Sequence, residues 1–409
     1  MPHTREVAVT GIGMITPGGP TAEETWRTVC AGRSLARTDP QLAGLPVDIA
    51  CRIDDFDPVA VYGRRLARRL DRFTHLALHA SRQAVVDAEL DPEHWPRERV
   101  GVILGIGGNS LETYVREFTL LGEGRPTAVS PVALPRSVPN MVPGEVAMDL
   151  RIHGPSFSVA SACASGATAI GVARDLLLAG ACDIVLAGSA ESGVSRMPVT
   201  CFAQMTALSR RLDDPAAACR PFDADRDGLV LSEGAAVLVL ERPDDARARG
   251  ARIRAVLRGY GCTSDAHHPV APHPEGAGAE RALRAALADA GCTARDVDHV
   301  NAHGTSTPAG DSAEALALLR TFDGTPPPVT APKGVLGHAL GASAAIEAAL
   351  TVLTMQHQHI PPTANLHRQL PGQELDIVTG VPRPAEVGVA VSSSFGFGGQ
   401  NTVLVLGTP

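Results

Sequence analysis

Lysine is almost missing from this chain. Lys and Arg together number 36, yet Lys333, in the stretch APKGVLGHALG, is the one ammonium among them. A compositional drift toward arginine accounts for the other cations and leaves the exception to be explained. Aromatic residues are scarce too, at 3%, beside 41 glycines and abundant alanine. Such a core closes by tight packing of small residues rather than around large rings. No apolar run reaches the ~18 residues of a membrane span. The charged start leads straight into the strand-like VAVTGIG, which predicts no signal peptide. A net charge of −8 removes the electrostatic footing for nucleic-acid binding as the main role. The 8 cysteines form no C-x-x-C pair and no compact framework, which predicts reduced thiols in a cytoplasmic protein.

What is present has an alternating rhythm. Short apolar runs that end in glycine (VAVTGIG, VGVILGIGG, DIVLAGS, AAVLVLE, HVNAHGTS, GVAVSSSFGFGG) are separated by Ala-rich helical stretches such as GAERALRAALADAG. This predicts an α/β chain with buried, mainly parallel strands. At 409 residues the chain exceeds one simple core, and the polar segment LERPDDARARGARIRAV, residues 240–256, divides it. The expected lobes are 1–250 and 251–409, and a strand–glycine turn–strand at the end of each hints at duplication.

The stretch FSVASACASGATAIGVARDLLLAGACDIVLAGSAES, residues 157–192, reads as strand, small-residue turn, helix, glycine stop at Gly180 and strand. Cys163 falls at the turn, as in a nucleophile elbow. Unpaired N–H groups and the positive helix end there predict a stabilised thiolate and a site for an oxyanion. Cys30, Cys51, Cys182, Cys201, Cys219, Cys262 and Cys292 read as buried structural thiols. In NAHGTSTPAGDSAEALAL, His303 follows a strand and precedes a Gly/Thr/Ser turn, the setting of a proton carrier or hydrogen-bond donor. Thr305 and Thr307 offer hydroxyls on the same rim. Lys333 and His338 flank a glycine turn, and Glu347, in the following helix, is placed to face back to the lysine. SSSFGFGGQN, residues 392–401, reads as a glycine loop covering something apolar. Three weaker patterns are set aside. DADRDG, from Asp223, lacks the acid at the twelfth position of a calcium loop. GIGMITPGG lacks the third glycine of a dinucleotide fingerprint. The paired histidines of DAHHP and QHQHIPP have no companion ligands, and no metal site is expected.

Taken in order, SACASG, RPFDADRDGLVLSEGAAVLVLE, NAHGTSTPAGDSAEA, KGVLGHALGASAAIEA and SFGFGGQN resemble the β-ketoacyl-acyl carrier protein synthases, condensing enzymes of the thiolase-like superfamily. The likeness runs over essentially the whole chain. It implies a duplicated five-layered α/β/α/β/α fold with the site between the lobes. Cys163 is then the acyl-accepting nucleophile, and the N–H groups of Cys163 and Phe397 form its oxyanion hole. His303 and His338 hold the malonyl thioester carbonyl during decarboxylation and Claisen condensation. Thr305 and Thr307 match pantetheine-binding positions, Phe397 a gating residue and Ile106 the acyl pocket, with Phe395 and Gly398 beside them on the substrate loop. Lys333 is expected to pair with Glu347 and to set the charge and orientation around His338.

The same resemblance implies an acyltransferase with no cofactor beyond the phosphopantetheine arm of its substrates' carrier protein. Its expected partners are that acidic carrier and a dimer mate, either a second copy or a chain-length-factor-like subunit, with no nucleic acid or membrane. In GRRLARRLDRF, Arg64, Arg68 and Arg72 recur at helical spacing beside Arg65 and Arg69, opposite Leu66, Leu70 and Phe73, and form a candidate carrier-docking stripe. Ala331-Pro332, GVLGH and Met205-Thr206 depart from the usual family pattern. They tilt the pathway from fatty-acid elongation toward a reducing or polyene-type polyketide route. A degradative thiolase would need a second cysteine in the C-terminal glycine loop, and a non-catalytic chain-length factor would lack the nucleophile.

Overall fold

A computed structural model describes residues 6–108 and 111–409. Ten strands form one sheet: β1 (Val7–Ile15), β2 (Val100–Gly105), β3 (Ser156–Val159), β4 (Ile184–Ser192), β5 (Glu233–Glu241), β6 (Ala255–Ser264), β7 (His299–Asn301), β8 (Val329–Thr330), β9 (Val389–Gly396) and β10 (Gln400–Gly407). Their spatial order is β8-β7-β9-β10-β6-β1-β5-β4-β2-β3. Read outward from the central β6/β1 contact, the two halves are the same pattern with every strand number raised by five. In each half the two outer contacts are parallel and the two inner ones antiparallel. With β1 against β6 also antiparallel, five of the nine pairings are antiparallel, so the expectation of mainly parallel strands fails. The apolar runs are two-sided because both sheet faces are covered, and strand direction leaves no mark on such runs.

The helices that matter here are α1 (Pro58–Arg69), α2 (Arg72–Asp87), α3 (Leu111–Gly122), α4 (Ser165–Leu178), α5 (Arg196–Gln204), α6 (Ala277–Asp289), α7 (Pro308–Thr321), α8 (Lys333–Leu336) and α9 (Gly341–His357). Helices α4 and α9 pack together between the two half-sheets, while α2 and α6 cover the outer faces, giving five layers. The middle layer explains the alanine content: every residue of α9 from Gly341 to Met355 is buried. The outer layers show why glycine recurs at the strands. A Cβ at Gly11 would lie 2.3 Å from the Ala84 carbonyl oxygen of α2, and one at Gly259 would lie 2.3 Å from that of Ala286 in α6. GIG and GYG thus serve as matched seats for a helix, not for a dinucleotide.

The repeat breaks at one place. In the C-terminal half, β9 and β10 are joined by a three-residue turn, Phe397–Gly399. Their counterparts β4 and β5 are separated by residues 193–232, which carry α5 and fold over the nucleophile. The basic segment also differs from expectation. Gly63, with φ 75°, breaks helical geometry within α1, and Leu70 is extended before α2 begins. One continuous stripe through Arg72 therefore does not exist.

Candidate functional site

Cys163 sits in the 3-10 turn Ala162–Ala164, between β3 and the start of α4. Gly396 fits against this turn. A Cβ there would lie 2.5 Å from the Ser161 oxygen and 3.1 Å from the Cys163 nitrogen. That close approach lets the Phe397 N–H donate to the Cys163 sulfur. The Phe397 N–H therefore already faces the sulfur, where an oxyanion would develop. The stabilisation of a thiolate expected at this turn is outweighed by burial. Burial dominates and pushes the Cys163 thiol up to about 12, against smaller lowering contributions from Lys333 and the Phe397 N–H. A helix end favours an anion by at most ~2 kcal/mol, less than the desolvation of a sealed thiolate.

His338 Nε2 lies 3.1 Å from Cys163 Sγ. Its Nδ1 meets Ser343 Oγ at 3.0 Å, and that oxygen also accepts from the Ala339 N–H at 2.8 Å. His303 stands at right angles to His338, ring centres 5.5 Å apart and interplanar angle 87°. Burial and then the Lys333 charge hold both imidazoles well below the usual histidine range, so both are neutral.

Lys333 is fully buried and pairs with Glu347, whose carboxyl burial pushes up and the lysine draws back down. Lys333 reaches His338 through its charge, but the orienting contact expected there falls on the other histidine: Lys333 Nζ donates to the His303 carbonyl oxygen at 2.6 Å and lies 3.3 Å from His303 Nδ1. An ammonium has only donors, so Nδ1 accepts and the ring proton of neutral His303 sits on Nε2. Lys333 thus fixes the histidine thirty residues before it, not the one five residues after. Proline beside it opens the short helix α8: the Pro332 oxygen accepts from Val335 and Leu336.

Two cavities meet at the sulfur. One, of about 250 Å³, is lined by Phe73, Gly107, Gly108, Leu111, Glu191 and Leu340 among others. The second, about 360 Å³, holds His303, His338, Thr305, Thr307, Phe395 and Asp265. Cys163, Phe202 and Phe397 belong to both, and the two phenylalanine rings stack at 5.7 Å across the junction. Thr305 and Thr307 present hydroxyls 2.9 Å apart on the wall of the second cavity. Phe395 packs against His303, ring centres 5.7 Å apart.

Other expectations need correction. Ile106 is buried among Phe73, Leu104 and Val142, behind the cavity wall that its neighbours Gly107 and Gly108 form. Gly398 lines neither cavity; its N–H is bonded to the Pro269 oxygen and its φ of 79° makes the turn. Arg72 is bound to buried Glu233 and to the Ile53 oxygen, so it is structural and not part of a docking face. Arg69 pairs with Glu145, while Arg64, Arg65 and Arg68 are exposed. Cys201 and Cys262 are exposed, against the buried role expected of them. The Asp223 carboxylate accepts from the Asp225, His367 and Arg368 N–H groups and pairs with Arg220, which fastens the DADRDG turn to the C-terminal half. Among the described residues no cluster of His, Cys, Asp and Glu fits a metal ion, and no helix is long and apolar enough to cross a membrane.

Three further side chains matter that lie within the motifs but received no role from them. Glu314, on α7, accepts from the N–H groups of His303 and Gly304 at 2.8 Å each and fixes the histidine loop from below. Ser343 orients His338. Glu191 accepts from Gly107 and Gly108. Each is a buried polar residue among small and apolar neighbours on its element, which is the sequence signal that could have drawn attention to it.

Comparison with known proteins places this geometry in a lineage. Residues 4–246 match the family model described as beta-ketoacyl synthase, N-terminal domain, and residues 254–367 match that of the C-terminal domain. The chain is similar to 3-oxoacyl-[acyl-carrier-protein] synthase 2 of Synechocystis sp., 40% identical and covering 98% of this chain and 97% of that protein. It resembles the solved ishigamide ketosynthase/chain length factor with a TM-score of 0.93 at 35% identity, covering 99% of this chain and 100% of that one. The type II polyketide ketosynthase AntDE, solved with its acyl-carrier protein AntF, aligns with a TM-score of 0.92 at 27% identity, over 99% of this chain and 100% of that one. The chain belongs to the beta-ketoacyl synthase family.

Proposed function

We propose that the protein is an elongating β-ketoacyl-[acyl carrier protein] synthase that extends an acyl chain by two carbons. The observation that carries this is a buried thiol shared by two cavities, one apolar and one holding two neutral imidazoles. Cys163 attacks the acyl thioester of the incoming carrier protein, the thioester C–S bond breaks, and the thiol proton leaves with the departing pantetheine sulfur. The acyl chain then lies in the cavity walled by Phe73 and Leu111. The malonyl thioester enters past Thr305 and Thr307, with its carbonyl against His303 Nε2–H and His338. Loss of CO₂ leaves an enolate that these two donors stabilise. Its carbon attacks the acyl-Cys163 carbonyl, whose oxyanion rests on the N–H groups of Cys163 and Phe397. Collapse releases the β-ketoacyl chain on its carrier, and the Cys163 thiolate takes up a proton.

Lys333, Glu347 and Glu314 act through His303 as positioning residues in this scheme. Division of the chain at 250/251 gives the cysteine to one half of the repeat and the histidines, lysine and Phe397 turn to the other. Arg64, Arg65 and Arg68 offer an acidic carrier protein a local positive field on a net-acidic chain. Leu111, Val115, Phe118 and Leu121 are all exposed along α3 and support a second ketosynthase-like subunit seated over them, a copy of this chain or a chain-length-factor-like mate. The pathway preferred is a specialised, reducing or polyene-type route, on the strength of Ala331-Pro332 and Met205-Thr206; Met205 lines the acyl cavity and Thr206 the other.

The test is an extension assay with acyl- and malonyl-carrier proteins, using native protein, Cys163→Ala and Cys163→Gln. Native protein extends the chain, neither variant does, and Cys163→Gln still decarboxylates malonyl-carrier protein. A native protein that extends no chain length removes the reading. Co-expression with candidate subunits and the native mass of the product decide between homodimer and heterodimer.

A further inference from the structure

Glu191, next to last in β4, is a buried acid, 4% exposed, and no cation pairs with it among the described residues. Its Oε1 accepts the N–H groups of Gly107 and Gly108, the latter at 3.1 Å. The surroundings are built for that oxygen. A Cβ at Gly107 would lie 3.0 Å from it, 2.9 Å from the Ala162 oxygen and 3.2 Å from the Gly341 nitrogen. A Cβ at Gly341 would lie 3.0 Å from the same oxygen, 2.9 Å from the Gly107 nitrogen and 3.2 Å from Ser165 Cβ. Three segments therefore meet around one side chain: the glycines after β2, the first residue of α9 and the turn that carries Cys163. Any larger residue at Gly107 or Gly341 would displace the oxygen or part the segments.

The location gives this junction a purpose. Gly107, Gly108 and Glu191 line the acyl cavity together with Cys163 and Leu340, and none of the three lines the cavity of the two histidines. We propose that Glu191 is a positioning residue for acyl loading. Its Oε1 clamps the Gly107–Gly108 wall to the nucleophile's turn and to the start of α9, so that a long acyl chain delivered to Cys163 meets a preformed slot. The inference rests on the synthase function proposed above. Burial pushes the Glu191 carboxyl up to about 8, so at neutral pH it is largely the uncharged acid. A carbonyl oxygen is then all the clamp needs, and glutamine is its isostere.

The experiment compares Glu191→Gln and Glu191→Ala with native protein. Acylation of Cys163 is followed by intact mass with acetyl- and dodecanoyl-carrier protein, and CO₂ release from malonyl-carrier protein is measured in parallel. In Glu191→Ala, dodecanoyl loading falls at least tenfold more than either acetyl loading or CO₂ release. Glu191→Gln recovers most of that loss. Equal losses in all three reactions, native dodecanoyl loading in Glu191→Ala, or no recovery in a glutamine variant that melts like native protein would each overturn the clamp. Failure of native protein to load any acyl chain would instead overturn the synthase function.

Discussion

Replacing Lys333 by methionine keeps the side chain's length and removes its charge. The structure gives two separate consequences. Glu347 is 2% exposed and its Oε2 already has no hydrogen-bond partner among the described residues, so loss of the ammonium leaves a buried carboxylate without its counter-charge. Breaking a buried pair this way costs about 3–5 kcal/mol, and protonation of the acid holds the loss to the lower end at neutral pH. Because the acid's folded pKa then rises further above its unfolded value, the variant is more stable in acid and weakens as pH rises. Independently, the His303 oxygen and Nδ1 lose the donor that fixes the ring. A hydrogen bond to a charged group contributes about 1.5–3 kcal/mol, which predicts a ~10–100-fold fall in malonyl decarboxylation. The double variant Lys333→Met/Glu347→Gln separates the two effects. Melting should return toward native and lose its pH slope, while CO₂ release stays low. If the double variant decarboxylates like native protein, Lys333 serves stability alone and its assignment to His303 is wrong. Lys333→Arg, which forces a larger fork into the same sealed site, should fold with a loss of about 1–3 kcal/mol and condense poorly.

Gly396→Ala puts a methyl 2.5 Å from the Ser161 oxygen and pushes the Phe397 N–H from the sulfur, so single-turnover acylation should fall about 100-fold or more in folded protein. His299 is wholly buried, neither ring nitrogen has a partner among the described residues, and burial lowers its pKa to about 3. An unfolded chain binds that proton at about 6.5, so stability is lost as pH falls, by about 2 kcal/mol at pH 5 from this residue. His299→Phe should flatten the acid limb of the melting curve; an unchanged limb would refute the assignment. Reversing Arg64, Arg65 and Arg68 to glutamate should raise KM for carrier-bound substrates at low salt and matter little at high salt. Arg72→Ala should lower the melting temperature instead, since it strands Glu233.

Much of the site was legible because its parts are local. The turn around Cys163, the His303 loop, the Lys333/His338 segment and the glycine hairpin each announce themselves within about ten residues, and their order carries the family. What the sequence hides is contact across the chain. Lys333 and His338 are neighbours in sequence, which suggests a contact between them, whereas only the lysine's charge reaches His338. The helix turn of α8 carries it instead toward His303 and α9. The basic stripe fails for a similar reason: arginines at helical spacing look alike until a break at Leu70 turns Arg72 inward to Glu233. The thiolate expectation weighed a helix end without the burial of the sulfur. The duplication is only hinted at in the residues yet plain in strand order, because packing constrains direction and register more tightly than side-chain choice.

The account turns on Cys163 as the acyl acceptor, and Cys201 is its natural competitor, an exposed thiol on the same acyl cavity. Native protein incubated with acyl-carrier protein alone, digested and mapped by peptide mass, tests this directly. The account predicts one acyl adduct, on the peptide bearing Cys163, that disappears when malonyl-carrier protein is added and a chain longer by two carbons appears on the carrier. An adduct on Cys201, or none on Cys163 under conditions where product still forms, would contradict it.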